Sequence, residues 1–405
     1  MSQASSSFPR GGHELQLLQG SGELFPALVE AIDAARHEVR LETYIFDFTG
    51  RSAEVAGALE RAARRGVSVM VVVDGFGSAP PPPEWAERFA QAGVHWRVYA
   101  PLGWLGMLWL GSWRRLHRKL CVVDGQVAFC GGINILDDYH DPNHGRLESP
   151  RLDFAVRVAG PLVAQVHATM TQLWLRMRAV RDMRRVRLAD MLESLRASGA
   201  ARARLRAAAS GQRRSRAALV LRDNLRNRAH IERAYRRAVG RAREEIIIAN
   251  AYFVPGRKMR KALVSAAARG VKVRLLLQGR YEYFMQYYAA RPIYGALLRA
   301  GVEIYEYSPS FLHAKVAVID GRWATVGSSN LDPLSLLLAR EANVIVDDEA
   351  FAAQLRDHLV HAMRGEEQAM DPENFRQRPL RQRFMEGVAL VLMRLALAIQ
   401  GKKYL

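Results

Sequence analysis

Two short stretches of this chain carry residue types suited to phosphorus chemistry. The first, RRLHRKLCVVDGQVAFCGGIN, runs from Arg114 to Asn134 and holds His117, Lys119, Asp124, Gly131, Gly132 and Asn134. The second, FLHAKVAVIDGRWATVGSSN, runs from Phe311 to Asn330 and holds His313, Lys315, Asp320, Gly327, Ser328 and Asn330. The differences 313 minus 117, 320 minus 124 and 330 minus 134 all give 196. A constant offset across a whole motif marks a duplicated unit. A lone His-x-Lys on a strand carries little information, but two copies sharing Asp, Gly and Asn spacing are hard to produce by packing alone.

An imidazole can attack phosphorus or move the proton of a leaving or entering alkoxide. Ammonium and amide groups bind the phosphoryl oxygens. Two copies supply what one displacement through a covalent intermediate needs: one His attacks, and the other protonates the leaving oxygen and then deprotonates the acceptor. Lys119, Lys315, Asn134 and Asn330 would bind phosphoryl oxygens, and the halves would complete one active site. Each His also needs a carboxylate on its far nitrogen. Asp153 and Glu341, at the start of the strand after each motif, are the candidates; the alternative is that they are ordinary strand-edge acids. No Asp/Glu cluster with Mg²⁺ spacing is evident, so neither metal nor cofactor is expected.

The positioning elements follow from the local pattern. Asp124-Gly125 and Asp320-Gly321 each lie between apolar runs, as hairpin turns do. A two-residue turn pairs Ile319 with Arg322 and puts His313 opposite Ser328 and His117 opposite Gly132. His and Lys at i and i+2 share one face of a strand. Asp124 and Asp320, in the turns, are expected to anchor the hairpins rather than touch phosphate.

Around each hairpin the pattern alternates between strand and helix. Strands are expected at Val39–Phe46, Val67–Val73 and Val94–Tyr99, with helices at Leu24–His37, Ala53–Arg65 and Glu84–Gln91. Later come strands at Arg151–Ala159, Ile246–Phe253, Val271–Gln278, Val302–Tyr307 and Ala342–Val346, and helices at Leu162–Met177, Ile231–Arg241, Lys258–Arg269, Pro292–Ala300 and Ala350–Met363. This β-α-β order predicts an α/β fold with parallel strands under helical cover.

Residues 1–13 form a polar, Ser/Gly-rich start, expected to be disordered. Residues 14–175 make a first domain with its motif at 117–134. An Arg-rich linker spans 176–223, and residues 224–365 make a second domain with its motif at 313–330. The tail, 366–405, is basic and apolar. Its Phe384–Ile399 run is too short for a membrane span and either lies in an interface as a basic-flanked helix, the favoured reading, or packs on the protein. The first half carries an insertion absent from the second, Pro101–Ser112 (PLGWLGMLWLGS), which reads either as a buried loop or as a loop dipping into a membrane.

The 405 residues carry a formal net charge of +19, so an anionic partner is expected, either nucleic acid or an anionic lipid surface. The two cysteines, Cys121 and Cys130, lie in strand-like runs without metal-ligand spacing and fit a reducing compartment. No signal peptide or run of spanning length is seen.

The repeated HxKxxxxD pattern, followed by GGxN or GSxN, resembles the phospholipase D superfamily over about residues 13 to 365. ETYIF, IIIANAYF, GSSNLDPLSL and EANVIV are similar to segments of bacterial cardiolipin synthases, in particular the shorter type B form without N-terminal membrane helices. The resemblance implies two fused α/β/α sandwich domains related by pseudo-two-fold symmetry, with the active site at their interface and a phosphatidyl-histidine intermediate. It maps catalysis onto His117, Lys119, Asp124, His313, Lys315 and Asp320, with His117 as nucleophile, and adds Ser328 to the phosphate contacts. Gly132 stands where the second copy has Ser328. The implied activity is phosphatidyl transfer from phosphatidylglycerol, or another phospholipid, to a phospholipid alcohol. The implied setting is peripheral, on an anionic phospholipid membrane at the cytoplasmic face of a bacterial cell, with no nucleic acid and no obligate protein partner. The alternatives are a hydrolase using water, a nuclease or phosphodiesterase, and a non-catalytic scaffold. The uncharged Trp/Leu insertion and apolar tail argue against the nuclease, and two intact motifs argue against the scaffold.

Overall fold

A computed structural model describes residues 12–101, 115–184, 193, 196–200, 216–223, 227, 229–280, 284–332, 339–364 and 369–399. The insertion at Pro101–Ser112 therefore lies outside the described residues from position 102 onward, as does the N-terminal start up to residue 11. The chain divides into two compact units. One comprises residues 1–137 and 155–219, the other residues 138–154 and 220–405. The sequence reading kept 14–175 together, whereas 138–154 groups with the second unit through contacts that leave no periodic trace.

The strands of the first unit are β1 (Glu14–Gln19), β2 (Glu38–Thr43), β3 (Ser68–Asp74), β4 (His95–Tyr99), β5 (Arg115–Leu116), β6 (Lys119–Val123) and β7 (Val127–Gly131). Two short strands, β8 (His140–Asp141) and β9 (Gly145–Arg146), precede β10 (Phe154–Ala159). The sheet order is β1-β10-β7-β6-β2-β3-β4. β2, β3 and β4 are parallel, joined by helices Ser52–Arg64 and Pro83–Ala92, while β2-β6, β6-β7 and β7-β10 are antiparallel. The helix over 52–64 places Val55, Leu59 and Ala62 on one face, as a 3.6-residue period requires, and buries them against Val39, Leu41, Val69 and Val71. Every residue of β6 is buried, which its unbroken apolar run after Lys119 demands.

The second unit repeats this plan with β11 (Ala217–Arg222), β12 (Glu245–Asn250), β13 (Lys272–Gln278), β14 (Glu303–Tyr307), β15 (Lys315–Ile319), β16 (Trp323–Gly327) and β17 (Ala339–Asp347). β12, β13 and β14 are parallel, and β12-β15, β15-β16 and β16-β17 antiparallel. β15, like β6, is buried throughout.

The hairpin register differs from the two-residue expectation. Val123 pairs with Val127, and Ile319 with Trp323. Asp124 and Gly125 both take positive φ (52° and 64°), as do Asp320 and Gly321 (51° and 60°). Gln126 N–H closes the turn on Val123 O at 2.9 Å, and pairing resumes only at Val127, so one residue bulges out. The ladder shifts by one, and Lys119 faces Gly131.

Two further differences have local causes. Pro292 lies inside a helix, Phe284–Arg299, instead of starting one. The C-terminal apolar run forms the helix Leu380–Ile399, which packs on Phe284–Arg299 and sends Ala389 and Met393 into the second unit's core beside Ile293, Tyr294 and Leu297. It is thus no detached tail. Arg378 stacks 3.3 Å above the Phe375 ring and reaches Glu386 at 2.9 Å, tying the preceding turn to the helix. The other face remains outside: Phe384 is 69% and Leu395 55% exposed, with Leu380, Val391 and Leu392 also exposed.

Candidate active site

The first half-site is built on β6 and the end of β2. Asp74, at the end of β3, is fully buried and accepts from Leu116 N–H at 2.6 Å and Phe76 N–H at 2.8 Å, holding the segment that enters at His117. Arg118 points to the opposite face from its neighbours and bonds Glu42 on β2 at 2.5 and 3.1 Å. That buried pair pins the β2-β6 register, and removing one partner would leave an uncompensated charge. His117 and Lys119 then share the other face. The His117 ring lies against Tyr44, centroids 4.9 Å apart, and Lys119 Nζ sits 5.4 Å from the Tyr44 ring centre. The Tyr44 position requires Gly77, since a Cβ there would come within 2.8 Å of the ring. Lys119 is 6% exposed and its Nζ donates to His117 O at 2.7 Å. Asn134 is buried, and its Oδ1 accepts from Ile45 N–H at 3.2 Å.

The second half-site has its own histidine-carboxylate pair. His313 Nδ1 lies 2.6 Å from Asp153 Oδ2. A short parallel bridge makes this contact: Leu152 N–H donates to Phe311 O at 3.0 Å, and His313 N–H to Leu152 O at 2.9 Å. Ser310 Oγ donates to Ser149 O at 2.7 Å just upstream. Asp153 is 2% exposed, and its Oδ1 accepts from its neighbour Phe154 N–H at 2.8 Å. A carboxylate on Nδ1 holds a proton there and makes Nε2 the atom that gives or takes the transferred proton. Lys315 is fully buried and donates to His313 O. In both copies, then, the lysine ammonium bonds the carbonyl of the histidine two residues before it.

Asp124 does not share a face with the histidines. Its carboxylate accepts from the backbone N–H of Arg36, His37 and Glu38 at 2.8 to 2.9 Å. Asp320 does the same with Arg243, Glu244 and Glu245, at 2.9 Å from Arg243 and Glu244 and 3.0 Å from Glu245. Burial works to raise the Asp124 pKa, and the three backbone donors outweigh it, holding the carboxyl below the ordinary range.

Ser328 is fully buried, and its Oγ donates to Glu341 Oε2 at 2.5 Å and accepts from Ala342 N–H at 3.1 Å. Its hydroxyl is therefore engaged with the strand that carries Glu341. Asn330 is also buried. ETYIF holds Glu42 and Tyr44, but the roles of Tyr44, Asp74 and the Arg118–Glu42 pair escape a motif search, because each acts across strands far apart in sequence.

A family model described as cardiolipin synthase, phospholipase D-like domain, matches residues 28–174 and 235–363, so both halves are covered. Cardiolipin synthase B of Escherichia coli strain K12 is 39% identical over 355 residues, spanning 86% of this chain and 80% of that protein. The chain belongs to the cardiolipin synthase family of phospholipase D-like phosphatidyltransferases. Cardiolipin synthase A of Klebsiella pneumoniae is a more distant relative, 29% identical over 93% of this chain and 74% of its own length. Among solved structures, phosphatidylserine synthase of Haemophilus influenzae matches 96% of this chain and 93% of its own with a TM-score of 0.64 at 12% identity. Polyphosphate kinase of Porphyromonas gingivalis matches 93% of this chain and 53% of its own at 0.55 and 15% identity. At such identities the likeness concerns the fold alone.

Proposed function

We propose that this chain synthesises cardiolipin by transferring a phosphatidyl group from one phosphatidylglycerol to the terminal hydroxyl of another. The carrying observation is the Asp153–His313 bond beside buried Lys315, which engages the imidazole through Nδ1 and makes Nε2 the atom for proton transfer on a phosphoryl group. The duplication supplies the second imidazole. His117 Nε2, carrying the lone pair, attacks phosphorus; the P–O bond to the headgroup glycerol breaks, and His313, entering as the imidazolium that the Asp153 carboxylate stabilises, gives that oxygen its Nε2 proton. The resulting phosphatidyl-His117 is attacked by the hydroxyl of a second phosphatidylglycerol. His313 takes the hydroxyl proton, and the P–N bond breaks. Two phosphatidylglycerols thus give one cardiolipin and one glycerol. Lys119, Lys315, Asn134 and Asn330 bind the phosphoryl oxygens. Asp124, Asp320 and Ser328 are positioning residues, the first two for the hairpins and the last for Glu341, which we assign to orienting a histidine.

The membrane contact falls on the helix Leu380–Ile399. Leu380, Phe384, Val391 and Leu395 follow an i, i+4, i+11, i+15 spacing on one exposed face. Exposed Arg376, Arg381 and Arg383 lie beside it and suit anionic headgroups. Among the described residues no helix is long and apolar enough to cross a membrane, so the attachment proposed is peripheral, at the cytoplasmic face. Incubating the purified protein with phosphatidylglycerol vesicles and identifying the products by lipid mass spectrometry tests the reading. Cardiolipin with released glycerol supports it, and phosphatidic acid as the main product contradicts it.

A further inference from the structure

We propose that a small pocket in the second unit holds the non-reacting phosphodiester of the acceptor lipid. The proposal rests on the reading of the acceptor as a phospholipid. Joining two phospholipids brings two phosphodiesters to one site. The His-x-Lys pairs serve the phosphorus that reacts, so the other anion needs donors of its own.

The pocket is lined by Tyr252, Gln278, Arg280, Tyr287, Arg291 and Glu306, among others. Its polar groups are unevenly satisfied. Gln278 Oε1 accepts from Leu312 N–H at 3.0 Å, which fixes the amide orientation and leaves Nε2 as a buried donor without a hydrogen-bond partner among the described residues. Arg291, 8% exposed, donates to Tyr287 Oη at 2.6 Å and Glu306 Oε1 at 3.0 Å, and its Nε likewise lacks a partner. Arg280 donates to two carbonyl oxygens, Ser308 O at 2.7 Å and Pro309 O at 2.8 Å, lies 5.9 Å from the Phe311 ring centre, and pairs with no carboxylate among the described residues. Arg291 and Glu306 offset each other, so the uncompensated charge at the pocket is the Arg280 guanidinium.

Two buried orphan donors and one uncompensated cation call for an acceptor-only, anionic group. A phosphodiester fits that description, and an acyl chain does not. The place fits as well: the Gln278–Leu312 bond ties the pocket wall to the residue preceding His313.

The test compares two acceptors that share the same donor step. With phosphatidylglycerol vesicles and labelled glycerol present, cardiolipin formation reports the phosphate-bearing acceptor. Label entering phosphatidylglycerol reports glycerol, which has no phosphate. Gln278→Glu keeps the acceptor for Leu312 N–H and replaces the orphan donor with a negative oxygen. It should lower the ratio of cardiolipin formed to glycerol incorporated by about tenfold or more, and raise the KM for the lipid acceptor. Arg280→Gln, which leaves the Leu312 bond alone, should lower the same ratio, and Arg280→Lys should restore part of it. It also decides the matter should Gln278→Glu not fold. Equal losses with both acceptors, or an unchanged ratio, would overturn the subsite. A wild-type protein that exchanges glycerol but makes no cardiolipin would overturn the underlying reading together with the subsite. A wild type that makes cardiolipin beside variants of unchanged ratio would overturn the subsite alone.

Discussion

Asp153 bonds Nδ1 of His313 at 2.6 Å, although 160 residues separate them. Asp153 follows the first hairpin in sequence, yet the histidine it holds belongs to the second. Asp153→Asn keeps the shape but no longer selects the tautomer. Activity should fall by roughly 10²–10⁴-fold while the thermal midpoint stays near the wild-type value. Nitrogen NMR of labelled His313, at a pH where the ring is neutral, should show a single Nδ1–H tautomer in the wild type and a mixture in the variant. A variant with near-full activity would remove Asp153 from the mechanism.

The turn aspartates should act through stability. Asp124 has its pKa held below the unfolded value, so its contribution is full above about pH 4 and is lost as pH falls through the lower folded pKa. Asp124→Asn should cost about 1–3 kcal/mol at neutral pH, because one carboxylate serving three N–H donors is replaced by a neutral amide. Urea melts should show the gap between wild type and variant shrinking toward pH 3. A gap that stays constant down to pH 3 would mean that the carboxylate charge is not what anchors the turn.

On the C-terminal helix, replacing Phe384, Val391 and Leu395 with Ser should weaken binding to anionic vesicles at least tenfold, since burying such side chains contributes about 1–2 kcal/mol each. The melting temperature should hardly move, because these side chains are exposed. Turnover of short-chain, soluble phospholipid should fall much less than turnover on bilayers. Equal loss on both substrates would place the helix face in the catalytic fold rather than on the membrane.

Lys119 and Lys315 already supply positive charge beside the histidines. Activity should therefore survive prolonged chelation by EDTA. Activity lost to EDTA and restored by Mg²⁺ would show that a metal supplies part of the charge.

Sequence carried the parts of this molecule that are local or repeated. The His, Lys and Asp positions were legible because duplication writes each twice at one spacing. The strand and helix alternation was legible because β6 and β15 are unbroken apolar runs and helix 52–64 has a clear face. The hairpin register was not, because Asp124-Gly125 looks like a complete two-residue turn and nothing in Gln126 announces a bulge. Which histidine Asp153 would meet depends on the Leu152–Leu312 bridge, a contact between segments far apart in sequence. The contacts of Tyr44 and Gln278 were invisible for the same reason. The tail's apolar run was plain, but a helix apolar on two faces does not say which face docks on the protein.

The most direct measurement is the source of the oxygen in the product. The reaction is run in H₂¹⁸O with phosphatidylglycerol vesicles, using wild type, His117→Ala and His313→Ala. Phosphatidyl transfer should yield cardiolipin free of ¹⁸O with one glycerol released per molecule formed, and neither variant should yield product. Phosphatidic acid carrying ¹⁸O as the main wild-type product, or near-wild-type cardiolipin from either variant, would contradict transfer through two histidines.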